Sequence, residues 1–418
     1  MQMENPKIKA AFGYIRTFLK WGLISILVGL IAGAVGTLFH QSVEYATSFR
    51  LAHRWVVWLL PLGGLLIVAL YKLGGLKNSI GTNVVLDSVR SPKGVPLALA
   101  PLIFVSTVIT HLLGGSAGRE GAALQLGGSI GSQLGRLLHL DEKDSHLIVL
   151  AGMSGVFSAL FGTPLTATFF ALEVVSVGVI YYSGFIPCIV SALVAYGVSI
   201  LCGAEPLVYS LGAIPAMGVW TILKVVALAV LCAALSILFC LAMHYTERFA
   251  GKCFKNDYLR IAVGGLLLVG LSLLFPSGDY NGAGMDVIAR ALGGQAQPEA
   301  FALKLLFTAI TIGVGFKGGE IVPTFFIGST FGCVAGAWLG LDAGFAAALG
   351  LVATFCGVVN SPIASIILSV ELFGAQGLLF FAIACGVSYM LSGYYGLYSS
   401  QKIIYSKLKA EFININAQ

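Results

Sequence analysis

Long uncharged apolar runs alternate along this chain with shorter apolar segments that end in glycine or proline. Trp21 to Phe39, Pro96 to Leu113 and Met217 to Met243 are the long runs, the last interrupted only by Lys224. Each approaches or exceeds the roughly 20 residues a helix needs to cross a bilayer. The shorter segments, Gly121 to Leu134, His146 to Phe161, Pro164 to Val177 and Pro362 to Gly374, cannot span alone. Backbone that stops partway through a membrane is tolerated where it lines a polar cavity or is buried in protein, so these predict broken or re-entrant helices. The pattern predicts an all-α polytopic membrane protein.

The order of these segments repeats. GREGAALQLGGSIG around position 120 matches GGEIVPTFFIGSTFG around 320, and GTPLTATFFALEV (162–174) matches NSPIASIILSVEL (360–372). Pro164 falls over Pro362 and Glu173 over Glu371. The interval from Glu120 to Glu173 is 53 residues and that from Glu320 to Glu371 is 51. Upstream, Gly81 opens GTNVV and Gly282 opens GAGMDV, 39 and 38 residues before their glutamates. Three landmarks in one order predict a single transmembrane domain, 1–418, of two repeats, about 20–205 and 217–400. Transporters built this way hold substrate near the midplane between inverted repeats, and inversion is the expectation here.

Composition removes the soluble classes. Of 418 residues 58% are hydrophobic and 10% charged, with a mean hydropathy of +0.93, against about 25% charged in soluble domains. The net charge of +6 includes Lys7, Lys9, Arg16 and Lys20 near one end and Lys402, Lys407 and Lys409 near the other. By the positive-inside tendency both termini are expected on the cytoplasmic side, and nucleic acid is not an expected partner. The apolar run behind the basic N-terminus is too long for a signal-peptide core, so none is expected. Eight dispersed cysteines and six dispersed histidines show neither CxxC nor metal-ligand spacing; they read as small buried residues, and no metal or cofactor is expected.

Charges inside the membrane are costly and therefore informative. Glu120 lies in Gly118-Arg119-Glu120-Gly121, where a glycine-rich loop enters an apolar helix. A helix start there aims unpaired N–H groups and a positive dipole end at whatever fills the cavity. The same holds at Gly81-Thr82-Asn83, at Gly319-Glu320-Ile321 and more weakly at Gly282. Converging helix starts would hold an anion, repel cations, and let the ion leave as readily as it enters. Glu120 could instead be a capping carboxylate held by its own dipole or by Arg119. Arg119 reads as a partner for a buried carboxylate, and Glu173 and Glu371 as structural charges that accept hydrogen bonds late in their helices. Glu320, with Lys317 beside it, is grouped with these. Gly152-Met153-Ser154-Gly155 could mark an intramembrane serine nucleophile with His244 as base, but reads better as a small-residue helix contact.

These residues resemble the CLC family of anion channels and proton/anion antiporters over essentially the whole chain, with GREG at 118–121 the specific element and GGEIVP (318–323) and GLYSS (396–400) as later motifs. The resemblance implies a CLC-type inverted repeat and a homodimer in a cell membrane, with one anion pathway per subunit. It implies that Glu120 is the gating and proton-coupling group, competing with the anion for the same donors. It implies that Tyr398 donates its hydroxyl to the anion, that backbone N–H groups of Gly121, Ile321 and Val322 face it, and that Gly81, Thr82 and Asn83 form the first site loop. The first loop lacks the proline and serine usual in the chloride branch, Ala122 replaces the proline after GREG, and Val174 stands where antiporters carry a relay glutamate. These departures resemble the fluoride-exporting branch. That branch flanks the site with phenylalanine and tends to carry threonine at the place of Val322, whereas no Phe lies between Phe49 and Phe104. The expectation is a halide/proton antiporter favouring fluoride, and not an enzyme. A chloride/proton antiporter or passive chloride channel of the same fold is the alternative, and an intramembrane protease or a cation transporter is more remote.

Overall fold

The computed structural model describes residues 6–77, 81–91 and 94–418, without side chains for 6–11. Lys7 and Lys9 therefore lie outside the described side chains. Sixteen α-helices follow in two sets of eight. The first set is α1 (Pro6–Ala52), α2 (Leu60–Leu73), α3 (Thr82–Ser88), α4 (Leu99–Leu113), α5 (Glu120–Leu137), α6 (Glu142–Phe161), α7 (Pro164–Glu173) and α8 (Phe185–Leu201). The second is α9 (Val219–Cys253), α10 (Asp257–Leu274), α11 (Met285–Leu292), α12 (Ala300–Gly313), α13 (Ile321–Trp338), α14 (Ala343–Val359), α15 (Pro362–Phe373) and α16 (Leu378–Leu391).

The same residue types open and close matching helices in both sets. Asp141 caps α6 by accepting from the Asp144 amide at 2.8 Å, and Asp342 caps α14 by accepting from the Phe345 amide at 2.8 Å. Side-chain oxygens there satisfy donors that a helix start leaves unpaired. Both helices end on a left-handed residue, Gly162 (φ 68°) and Asn360 (φ 57°), which suits glycine or asparagine alone among common residues. Pro164 and Pro362 then begin the next helices in the first turn, where a missing N–H costs nothing.

Glycine sets the packing distance. A Cβ on Gly127 would lie 2.2 Å from the Gly152 carbonyl oxygen, and one on Gly328 would lie 2.5 Å from that of Gly350. Thus α5 touches α6, and α13 touches α14, backbone to backbone, the close approach that small residues permit in lipid. The apolar windows of α6 and α13 are 78% buried and that of α10 only 28%, so the former form the interior and the latter faces lipid.

At the centre the two sets meet directly. Gly118 and Gly319 form an isolated antiparallel bridge, Gly118 N donating to Gly319 O at 2.6 Å and Gly319 N to Gly118 O at 2.7 Å. The bridge joins the glycine loops that open α5 and α13, the matching helices of the two sets.

One element departs from the all-α expectation. β1 (Ser176–Val177), β2 (Lys402–Tyr405) and β3 (Phe412–Asn416) form a three-stranded sheet, β1 parallel to β2 and β2 antiparallel to β3. Strands this short carry too few residues for an alternating pattern to show. The sheet ties the stretch after Tyr398 to the end of α7.

Candidate functional site

The Gly114–Arg119 and Gly315–Glu320 segments bring α5 and α13 to the bridge with their N-termini beside it. Glu120, the first residue of α5, is fully buried. Its Oε2 accepts from the Arg119 amide at 3.0 Å and from the Val322 amide, in the first turn of α13, at 3.2 Å. The carboxylate is thus docked on the helix start of the opposite repeat. Its Oε1 has no hydrogen-bond partner.

Three more unpartnered buried oxygens accompany it: Gln125 Oε1, Glu320 Oε2 and the Tyr398 hydroxyl. All three of these residues line a cavity of about 580 Å³, together with Gly81, Thr82 and Asn83. Buried polar groups in folded proteins are nearly always paired with protein or water, so three such atoms lining one space describe a place for a polar guest. The charges facing the Tyr398 hydroxyl are those of Glu320 and Glu120. The cavity opens past His244, Glu247, Arg248 and Gly251 at the end of α9 and Arg260 at the start of α10, a mouth that carries both signs of charge.

The predicted site residues are distributed as follows. Gly81, Thr82, Asn83 and Tyr398 line this space, whereas Glu120 and Val322 lie outside its lining, joined to each other by the 3.2 Å hydrogen bond. A Cβ on Gly81 would meet nothing within 4 Å, so that residue opens onto the cavity. Thr82 Oγ1 accepts from Gln125 Nε2 at 3.2 Å and faces the Gly121 carbonyl at 3.4 Å. Gly121 packs against the Gly319 Cα and the Glu320 carboxylate. Asn83 lines the space with its amide engaged: its Nδ2 donates to Ser399 Oγ at 3.1 Å and its Oδ1 accepts from the Ser400 amide at 3.0 Å. It fastens the Tyr398 segment to α3. Ile321 is buried in the first turn of α13 and lies outside the cavity lining.

The other charges are also placed. Arg119 Nη1 lies 3.6 Å from Glu44, which is exposed on α1, and its charge also faces the buried Glu120 carboxylate. Glu173 accepts from the Ile363 and Ala364 amides at 3.2 and 2.8 Å, and Glu371 from the Leu165 and Thr166 amides at 2.8 Å each. Each ends its own helix and caps the start of its counterpart in the other repeat, so the dipole it opposes locally is offset by the one it joins. Ser154 donates to the Cys188 carbonyl at 3.2 Å, a helix–helix contact, and His244 is bonded to the Leu397 carbonyl at 3.2 Å. Neither is arranged for nucleophilic chemistry.

Sequence reasoning missed two polar residues. Gln125 is five positions after Glu120 in an apolar helix, and its amide was the available signal. Gln401, fully buried, donates to the carbonyls of Val174 and Val359 at 3.0 and 2.8 Å and accepts from Asn360 at 3.0 Å. It locks the segment after Tyr398 to the ends of α7 and α14.

Comparison with known proteins agrees with this geometry. Residues 71–393 match a family model described as voltage gated chloride channel. A chloride/fluoride channel protein of Pseudomonas syringae pv. tomato is 36% identical over 395 residues, covering 93% of this chain and 87% of the relative. The crystal structure of a CLC-type fluoride/proton antiporter superposes with a TM-score of 0.89 at 34% identity, covering 92% of this chain and 98% of that one. A slow cyanobacterial Cl⁻/H⁺ antiporter shares the fold, with a TM-score of 0.76 at 18% identity and 89% and 94% coverage.

Proposed function

The chain belongs to the CLC family, and from that premise we propose that it is a halide/proton antiporter that favours fluoride, and not an enzyme. One observation carries the reading. The Glu120 carboxylate sits on the Val322 amide at 3.2 Å, and its charge faces the unpartnered hydroxyl of Tyr398, which lines the cavity. An ionised side chain held at a helix start stands where a free anion would be held.

The coupling follows from competition. While ionised, Glu120 keeps the donors that a halide needs. Protonated, it loses its charge and its claim on those donors, and a halide can replace it. Proton binding and halide binding at that point are therefore linked, and a proton bound from one side accompanies a halide that leaves toward it. The Tyr398 hydroxyl is free to donate to the arriving ion, since no protein acceptor takes it. Arg248, Arg260 and Lys317 around the cavity draw anions from the face it opens on, as positive charge in a low-dielectric cleft does.

Fluoride is favoured by the likeness to a fluoride/proton antiporter and a chloride/fluoride channel protein at more than 30% identity, and by Val174 at the place of the relay glutamate. Chloride is the second reading, favoured by Val322 and by Val84 and Val85 in the first loop, where the fluoride branch carries threonine and phenylalanine. The proposal includes a homodimer in the plasma membrane with cytoplasmic termini and the cavity open to the cytoplasm. The mass of the detergent-solubilised protein should correspond to two chains; a monomer would remove the dimer from the reading.

Halide efflux from liposomes, with external pH recorded in the same run, tests the function. Wild type should release fluoride faster than chloride and take up protons. Glu120→Gln, which cannot ionise, should lose proton movement entirely. Full coupling in that variant would overturn the assignment of Glu120. Halide current that reverses at the anion equilibrium potential whatever the pH gradient would make the protein a passive channel.

A further inference from the structure

A second cavity, of about 440 Å³, lies at the other end of α10. Arg260, in the first turn of that helix, lines the cavity already described, whereas Ser272 and Leu273, in its last turn, line this one. Arg50 and Arg54 also line it, and no carboxylate does. Arg50 is only 6% exposed, and its Nη1 has no hydrogen-bond partner. Its guanidinium lies against Gly282, where a Cβ would fall 2.6 Å from Nη1. The Gly282 carbonyl accepts from Lys304 Nζ at 2.6 Å, and Lys304, wholly buried in α12, donates also to the Tyr280 carbonyl at 3.3 Å. His111, wholly buried in α4, leaves both ring nitrogens unpartnered, and the charges that face it are those of Arg50, Arg119 and Lys304.

Two carboxylates of neighbouring elements are engaged elsewhere, and Asp286 and Glu299 are exposed. Glu44 binds His40 at 3.0 Å and Arg119 at 3.6 Å, and Asp279 binds Arg290 at 2.7 Å. Carbonyls hold Lys304 in position but carry no net charge. Taking a charge out of water costs several kcal/mol unless an opposite charge or a full set of hydrogen bonds offsets it. Arg50 has neither among the described residues, and it shares its surroundings with a second cation and an unpartnered imidazole. Such a cluster is electrostatically complete only with an anion.

The cluster is joined to the segment that carries Glu120. Asn281 Nδ2 donates to the Gly114 carbonyl at 2.7 Å, and the Gly282 amide donates to the Gly115 carbonyl at 3.0 Å. We propose that Arg50, His111 and Lys304 form a second halide site on the opposite side of Glu120 from the large cavity, a staging position between that side's solution and the central site. It rests on the halide-transport reading above. The site offers a guanidinium, an imidazole N–H and the remaining ammonium proton, donors that suit any small monovalent anion and do not select by size. Sequential occupation would let the ion at this position wait while Glu120 holds the central donors.

Crystals of the full chain grown in bromide, read by anomalous scattering, test the site directly. A peak is expected in contact with Arg50, Lys304 and His111, and it should disappear in Arg50→Gln crystals while a peak beside Tyr398 remains. Arg50→Gln should also raise, by about tenfold, the half-saturating halide concentration on this side only, the usual loss for one charge-assisted hydrogen bond. Lys304→Met serves as the second variant if Arg50→Gln does not fold. A peak beside Tyr398 alone overturns the proposal and leaves the transport reading standing. No peak at either place overturns both, and a peak at the cluster that survives both substitutions overturns the assignment of these residues.

Discussion

A hydroxyl with no acceptor and a carboxylate with a borrowed donor make opposite predictions when altered. The Tyr398 hydroxyl contributes nothing to protein hydrogen bonding, so Tyr398→Phe should leave thermal stability unchanged. It should weaken halide affinity by about tenfold or more, the worth of one hydrogen bond to a charged group. Isothermal titration with halide beside a thermal melt separates the two effects; equal affinity in the variant would remove the hydroxyl from the site. At this scale the sequence was most readable where a residue was both polar and repeated. Glu120, Glu173, Glu320 and Glu371 stood out because each breaks an apolar run and each has a counterpart. Asn83 lines the cavity with Gly81 and Thr82, and its amide is spent on Ser399 and Ser400. Lys304 and Arg50 break apolar surroundings too, but neither has a matched partner in the other repeat, so repetition could not single them out.

Helix ends carry the architecture. Glu173 and Glu371 exchange caps, each terminating one short helix and supplying the acceptor that starts its counterpart. Glu371→Ala would leave the Leu165 and Thr166 amides without their acceptor, at about 1–3 kcal/mol for each that stays buried. The expected outcome is a lower temperature of loss of monodispersity in detergent, with Glu371→Gln, which keeps one carbonyl oxygen, intermediate. Equal stability of all three would show that water replaces the carboxylate. The helices themselves were readable because apolar runs bounded by glycine and proline have a direct physical cause in lipid. Which helix each carboxylate would cap was not, since that contact joins positions 173 with 363 and 364, and 371 with 165 and 166, through inversion. The small sheet was unreadable for a different reason. Its strands have two to five residues, and β1 pairs with β2 across more than two hundred positions, Ser176 with Lys402.

On the scale of the whole molecule, two half-proteins face each other across a central pair of backbone hydrogen bonds, Gly118 with Gly319. Each repeat presents a glycine-opened loop, an Asp-capped helix and a cap-exchanging carboxylate to the other, while the bond from Val322 to Glu120 has no counterpart at Glu320 among the described residues. The connection between them, residues 202–218, is irregular and largely exposed around Gly212. Cutting the chain there breaks no helix. Co-expressed as separate polypeptides, residues 1–212 and 213–418 should therefore find each other in the membrane and restore halide flux in the liposome assay, while either alone is inert. Failure of the co-expressed pieces to co-purify would show that the tether supplies affinity that the interface lacks. If they do reassemble, the polypeptide link is dispensable: the protein behaves as two oppositely inserted subunits that happen to share one chain.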